Sequence, residues 1–162
     1  YTIWLKRATP QNIVIGGAAG AVPPLVGWAA ASGEINIPAL FLFAIIFYWT
    51  PPHFWALALV KRNDYASGQI PMLPVVWGEV ETRKQIALYS LILVALTLLL
   101  TPANVTGMFY MIAASVLGLI LLVHAVMLMR GGTNIQAWRM YKYSSYYLAL
   151  LFAAMVVDQF IY

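Results

Sequence analysis

The sequence predicts an all-α, polytopic transmembrane helix bundle, and three observations point to it. First, 63% of the 162 residues are hydrophobic and only 9% are charged, whereas soluble domains carry about 25% charged and about 45–50% apolar residues. So little charge cannot cover so much apolar surface in water, which makes lipid the natural solvent. Second, apolar runs near the ~20 residues needed to cross a bilayer core recur along the chain. Third, the basic residues fall in clusters between those runs, as membrane topology requires.

The expected spans lie near residues 11–32, 38–60, 86–101, 107–129 and 143–161. The third is short, with Tyr, Thr and Gln at its flanks to extend it into the interface. Connectors near 33–37 and 102–106 are tight, and those at 61–85 and 130–142 are longer and polar. Threading five spans places all nine basic residues on the side that holds Tyr1: Lys6, Arg7, Lys61, Arg62, Arg83, Lys84, Arg130, Arg139 and Lys142. The positive-inside rule makes that side cytoplasmic. Trp4, Trp28, Trp77, Trp138, Tyr141 and Tyr143 gather at span ends as an interfacial belt.

Several classes are excluded. With no cysteine, the chain holds no disulfide framework, thiolate metal site or attached c-type haem. The formal charge of +4 reflects topology and gives no reason to expect a nucleic-acid partner. The chain begins at Tyr1 without a signal-peptide layout, so the true N-terminus is expected upstream.

Two spans break the rules of membrane helices. The first contains Gly16-Gly17, Gly20 and Pro23-Pro24, and the second contains Trp49-Thr50-Pro51-Pro52-His53-Phe54-Trp55. Glycines let helices approach closely, and prolines remove backbone donors. Carbonyls freed at membrane depth are tolerated only inside protein or beside a cavity, so both spans are expected to line a pocket. His53 sits two turns before Lys61, about 12 Å inside the boundary at ~1.5 Å per residue. An ionisable residue there is a functional candidate: an iron ligand, a proton carrier or a partner for a carbonyl. His124 is expected to be a packing or interfacial residue, and Asp158 a terminal carboxylate at the interface. The 61–85 segment, with Lys61-Arg62-Asn63-Asp64 and the prolines Pro71 and Pro74, reads as a lid offering one oxygen ligand and cations for phosphate.

Three ordered motifs carry a resemblance. They are Tyr1-Thr2-x-x-Leu5-Lys6-Arg7-x-Thr9-Pro10-Gln11-Asn12-Ile13 running into Gly16-Gly17-Ala18-Ala19-Gly20, then Trp49-Thr50-Pro51-Pro52-His53-Phe54-Trp55-Ala56-Leu57-Ala58, then Asp64-Tyr65 with Ile70-Pro71-Met72-Leu73-Pro74-Val75-Val76. In these the chain resembles the protohaem IX farnesyltransferases (haem o synthases) of the UbiA type. Beyond about residue 90 only the hydropathy agrees.

The resemblance implies a nine-helix fold around a central cavity, with about five helices and the C-terminal half present here. It implies transfer of a farnesyl group from farnesyl diphosphate to a vinyl group of haem b, giving haem o and diphosphate. Mg²⁺ bound with the diphosphate is the expected cofactor and haem b a substrate. The expected setting is the lipid bilayer, with the site open to the cytoplasm of a bacterial plasma membrane. Haem a synthase or terminal-oxidase assembly proteins are candidate partners. Carried over residue by residue, Asp64 is the metal–diphosphate residue, and Lys6 and Arg7 are the cationic pair of a Tyr-x-x-x-x-Lys-Arg element. Arg62 assists, Asn12 orients the pocket and His53 contacts haem.

Two departures stand out. Relatives acting on quinone precursors carry a second Asp where this chain has Gly68, a gap that favours the haem branch. The family's usual Ala-Gly before Ile-Pro-Met-Leu-Pro is here Gly68-Gln69. The first acidic motif lies outside the chain, so the chain alone is expected to be inactive. The competing expectations are a prenyltransferase for an aromatic or quinone acceptor, a membrane subunit holding haem between His53 and His124, and a transporter.

Overall fold

In the computed structural model, which describes residues 9–161, five long helices and two short ones account for nearly all the backbone. They are α1 (Asn12–Ser32), α2 (Ile37–Val60), α3 (Arg62–Ser67), α4 (Leu73–Val76), α5 (Gly78–Leu98), α6 (Met108–Gly131) and α7 (Asn134–Ile161). Four of them, α1, α2, α6 and α7, are long and apolar enough to cross a membrane. The remaining long helix, α5, has 21 residues, but its first two turns carry Glu79, Glu81, Arg83 and Lys84. Its apolar part begins at Ile86, where the expected third span begins. The expected last span, 143–161, is the later part of the longer α7, so only a short turn separates α6 from α7. The polar residues 134–142, expected as a connector, are helical because Ala137 and Met140 bury against the bundle.

Packing sets the architecture. Helices α2, α5, α6 and α7 form a ring in which each touches its neighbours and α7 closes back onto α2, while α1 packs along α2. The shared core holds Ile45, Trp55, Leu93, Tyr110, Leu121, Met140, Tyr147 and Leu151. Outward faces remain apolar, with Ile112, Val116, Leu119 and Val123 exposed along α6. In water such a face would be an aggregation hazard; in lipid it is the ordinary surface of a span. The protein is an integral membrane protein.

Since lipid drives helix association only weakly, close contact and polar links hold such a bundle. Gly118 of α6 lies against Val94 of α5, and a Cβ there would meet Val94 Cγ1 at 2.8 Å. Thr97 and Tyr147 hydroxyls meet at 3.2 Å between α5 and α7. The Tyr143 hydroxyl donates to the Leu117 carbonyl at 2.9 Å between α7 and α6.

Asp158 differs from its expected role. It is fully buried, and its carboxylate accepts the backbone N–H groups of Gly107 and, at 3.0 Å, of Tyr110. Those donors belong to the start of α6, whose first N–H groups have no intrahelical acceptor. Gly107, at the N-cap position, has no side chain to supply one. A carboxylate also suits the positive end of the helix dipole. Asp158 therefore caps α6 from α7. Replacing it with alanine leaves two buried donors unpaired and is expected to cost about 2–3 kcal/mol. Asparagine, which keeps an acceptor, should cost less. Thermal unfolding in detergent checks both, with Asp158→Ala melting lowest.

Candidate functional site

Between α1 and α2 lies a cavity of about 420 Å³, lined mainly by apolar atoms. On α1 its wall is built from Asn12, Ile13, Gly16, Gly17 and Gly20, spaced so that they share one helical face. On α2 the facing wall is Ile46, Trp49, Thr50 and Phe54, and Tyr65 and Met72 close it from the 61–77 segment. The two glycine- and proline-bearing spans do line one pocket, as the sequence implied. The physical reason is visible at its wall: Pro24 has no N–H to offer the Gly20 carbonyl, which is tolerable only beside a cavity or inside protein.

The glycines differ in what they do. A Cβ on Gly17 would stand 3.1 Å from Thr50 Cβ, so Gly17 sets the close approach of α1 to α2. A Cβ on Gly20 would meet nothing within 4 Å, so the missing side chain there is cavity space. Thr50 turns its hydroxyl back to the Ile46 carbonyl at 2.7 Å, which leaves its methyl group toward Gly17.

His53 lies one layer behind this wall. Its imidazole is stacked on Trp49 at 4.3 Å and leans on Tyr141 of α7 at 4.5 Å, with Phe54 edge-on at 5.2 Å. Its Nδ1 is 2.8 Å from Ser144 Oγ. Ser144 in turn donates to the Tyr141 carbonyl at 2.7 Å. A serine has one proton to give, so the network assigns a hydrogen to His53 Nδ1, which in the neutral ring leaves Nε2 as the acceptor. The Trp49 indole N–H also goes to Ser144, donating to its backbone carbonyl at 2.7 Å.

The charged residues stand beside the cavity. Asp64, on α3, is exposed and pairs with Lys61 at 3.3 Å. Arg62 bonds Glu79 at 3.0 Å, which ties α3 to the charged start of α5. From α3 it is Tyr65, next to Asp64, that reaches the cavity. Asn12 lines it and is fully buried, whereas Lys6 and Arg7 lie outside the described residues. Among the described residues no three His, Asp or Glu side chains gather as a metal cluster. One exposed carboxylate fits a Mg²⁺ ion held largely by phosphate oxygens and water, since Mg²⁺ needs only one or two protein carboxylates.

The lid segment also explains one departure in sequence. Gln69 has a left-handed backbone, φ 51°, at the place where the resembling sequences usually carry glycine. A side chain there costs about 1 kcal/mol, which glycine avoids. His124 donates Nδ1–H to the Ile120 carbonyl at 2.9 Å and stacks on Tyr143 at 4.8 Å. It sits on α6, away from the cavity, in a packing role.

Fold and site together define a helical membrane protein with an apolar, aromatic-walled chamber flanked by charged groups. The UbiA prenyltransferase family model matches residues 1–156, and the chain belongs to that family. Among curated relatives, it is 57% identical over 162 residues to a protoheme IX farnesyltransferase of Roseiflexus castenholzii, covering 100% of this chain and 30% of that protein. It is 58% identical to one from Chloroflexus aurantiacus, covering 99% of this chain and 27% of the relative. A third, from a Synechococcus strain, is 55% identical, with 98% of this chain and 49% of the relative covered. The chain thus spans between about a quarter and a half of these relatives. In three dimensions it matches a solved chain from work on digeranylgeranylglyceryl phosphate synthase in membranes. The TM-score is 0.85 at 16% identity, covering 94% of this chain and 54% of the other. At that identity the likeness concerns the fold.

The two glycines give opposite expectations. Gly17→Leu forces α1 off Thr50 and should destabilise by about 1–3 kcal/mol, whereas Gly20→Leu fills open space and should melt near the parent temperature. Melting curves of the two variants in detergent test this directly.

Proposed function

We propose that this chain supplies one wall of the chamber in which a membrane enzyme transfers the farnesyl group of farnesyl diphosphate to a vinyl group of haem b, giving haem o and diphosphate. The observation that carries this is the 57% identity, along the whole chain, to a protein named protoheme IX farnesyltransferase. The geometry supports it. An apolar cavity with aromatic walls suits a prenyl chain, and charged groups beside it suit a diphosphate.

The chemistry needs two environments. Ionising an allylic diphosphate puts negative charge on the leaving group and positive charge on the prenyl carbon. Bound Mg²⁺ would neutralise the developing diphosphate charge. Asp64 is the residue of this chain that would hold it, and its exposure leaves it free to exchange Lys61 for the metal. Lys6 and Arg7 are proposed as the cationic pair on the phosphates, with Arg62 assisting. The apolar cavity keeps water from the prenyl carbon. Asn12, buried at its wall, orients the bound group, and His53 contacts haem through its Nε2 lone pair. Haem a synthase or terminal-oxidase assembly proteins are the partners this activity implies. The clustering of basic residues supports the reading that the Asp64 side faces the cytoplasm, in a bacterial plasma membrane.

The test is production of haem o by the complete protein with Asp64→Asn, which removes the charge at nearly constant volume. Haem o formation should fall by about a hundredfold or more, with the fold retained because Asp64 is exposed. An unchanged output would remove Asp64 from the reaction. Competition with 4-hydroxybenzoate should leave the parent rate untouched, whereas inhibition would favour an aromatic acceptor.

A further inference from the structure

Trp49 is constrained in a way that packing alone does not require. Its N–H edge is pinned to the Ser144 carbonyl at 2.7 Å. One face is covered by the His53 ring at 4.3 Å and 22°. His53 is itself held by Ser144 Oγ at 2.8 Å and backed by Tyr141 at 4.5 Å. Trp49 borders the cavity and His53 does not, which leaves the indole surface away from His53 available to a bound group. Among the described residues no other ring contacts Trp49.

We infer that Trp49 is a catalytic residue of the proposed prenyl transfer, its indole face stabilising the allylic cation, and that His53 is the positioning residue behind it. This rests on the function proposed above. Indole is the strongest cation–π partner among side chains, and the interaction strengthens when water is excluded. A neutral Nδ1–H imidazole behind the ring adds no competing positive charge. The C–O bond of the allylic diphosphate breaks and its electron pair leaves with diphosphate. The vinyl π electrons then form the new C–C bond to the prenyl cation. The positive charge moves to the carbon beside the macrocycle, where water adds its oxygen as a hydroxyl and releases one proton. Trp49 acts before the C–C bond forms, when the charge sits on the prenyl carbon. Such stabilisation exists only as charge develops, so it raises the turnover rate without tightening ground-state binding.

The experiment uses the complete protein in detergent or vesicles, assayed with haem b and farnesyl diphosphate. Tryptophan at position 49 is replaced site-specifically by its mono-, di- and trifluoro forms, which preserve shape and N–H while draining the ring of negative potential. The logarithm of kcat should fall steadily with fluorine number while KM for farnesyl diphosphate stays nearly constant. Trp49→Leu should lose about tenfold to thirtyfold in kcat. His53→Ala, which removes the backing ring, should flatten the fluorine dependence, whereas loss of a haem contact alone would lower all members of the series equally and keep the slope. A flat series in an active parent protein overturns the role of Trp49 and leaves the proposed function standing. Failure of the parent protein to form haem o overturns both.

Discussion

One residue of α7 ties the site to the bundle. Ser144 takes the Trp49 indole proton on its backbone carbonyl and the His53 proton on its hydroxyl oxygen, and it returns its own proton to the Tyr141 carbonyl. The first two bonds join α2 to α7 at buried or half-buried positions, where an unpaired polar group costs far more than in solution. They fix the rotation of α2, and so decide which of its side chains face α1. The cavity is the consequence: with His53 and Trp49 docked on α7, positions 46, 49, 50 and 54 turn toward the glycine face of α1. Pro51 and Pro52 sit between the two anchors, where the loss of two helix donors is offset by those side-chain bonds.

The same arrangement would keep apart the polar and apolar parts of the proposed reaction. Asp64 and Arg62 lie on a short helix outside the cavity, paired with Lys61 and Glu79, and only their neighbour Tyr65 reaches inward. A charged group within the apolar chamber would be costly to desolvate. The carboxylate is instead exposed, and aromatic and aliphatic groups line the cavity, the division that the proposed reaction would need between a hydrated ion and a carbon cation.

Much of this was legible in the sequence because lipid imposes simple rules. Runs of about 20 apolar residues are helices, and glycines and prolines within them mark a cavity wall. The expected ends of the spans at 11–32, 38–60 and 107–129 fall within two residues of α1, α2 and α6. What was not legible depends on partners far along the chain. Asp158 looks like an interfacial carboxylate until α6 is seen to start beside it, about 50 residues away in sequence. Tyr141 reads as part of an aromatic belt, yet it is the ring against which His53 rests. The start of α7 was hidden by Trp138, Arg139 and Lys142, whose polarity suggests a loop although the face opposite them is buried. The exclusion of Asp64 from the cavity also had no local signal, because Asp64 and Tyr65 are adjacent and only the helical turn of α3 separates their directions.

The central claim is that a prenyl chain reacts in the chamber between α1 and α2. Photocrosslinking the complete protein with a farnesyl diphosphate analogue carrying a diazirine on its prenyl tail, followed by peptide mapping, tests it most directly. Label should fall on the 13–20 and 46–54 segments and be displaced by excess farnesyl diphosphate. Label confined to the outer apolar face formed by Phe109, Ile112 and Val116, and indifferent to competitor, would contradict it.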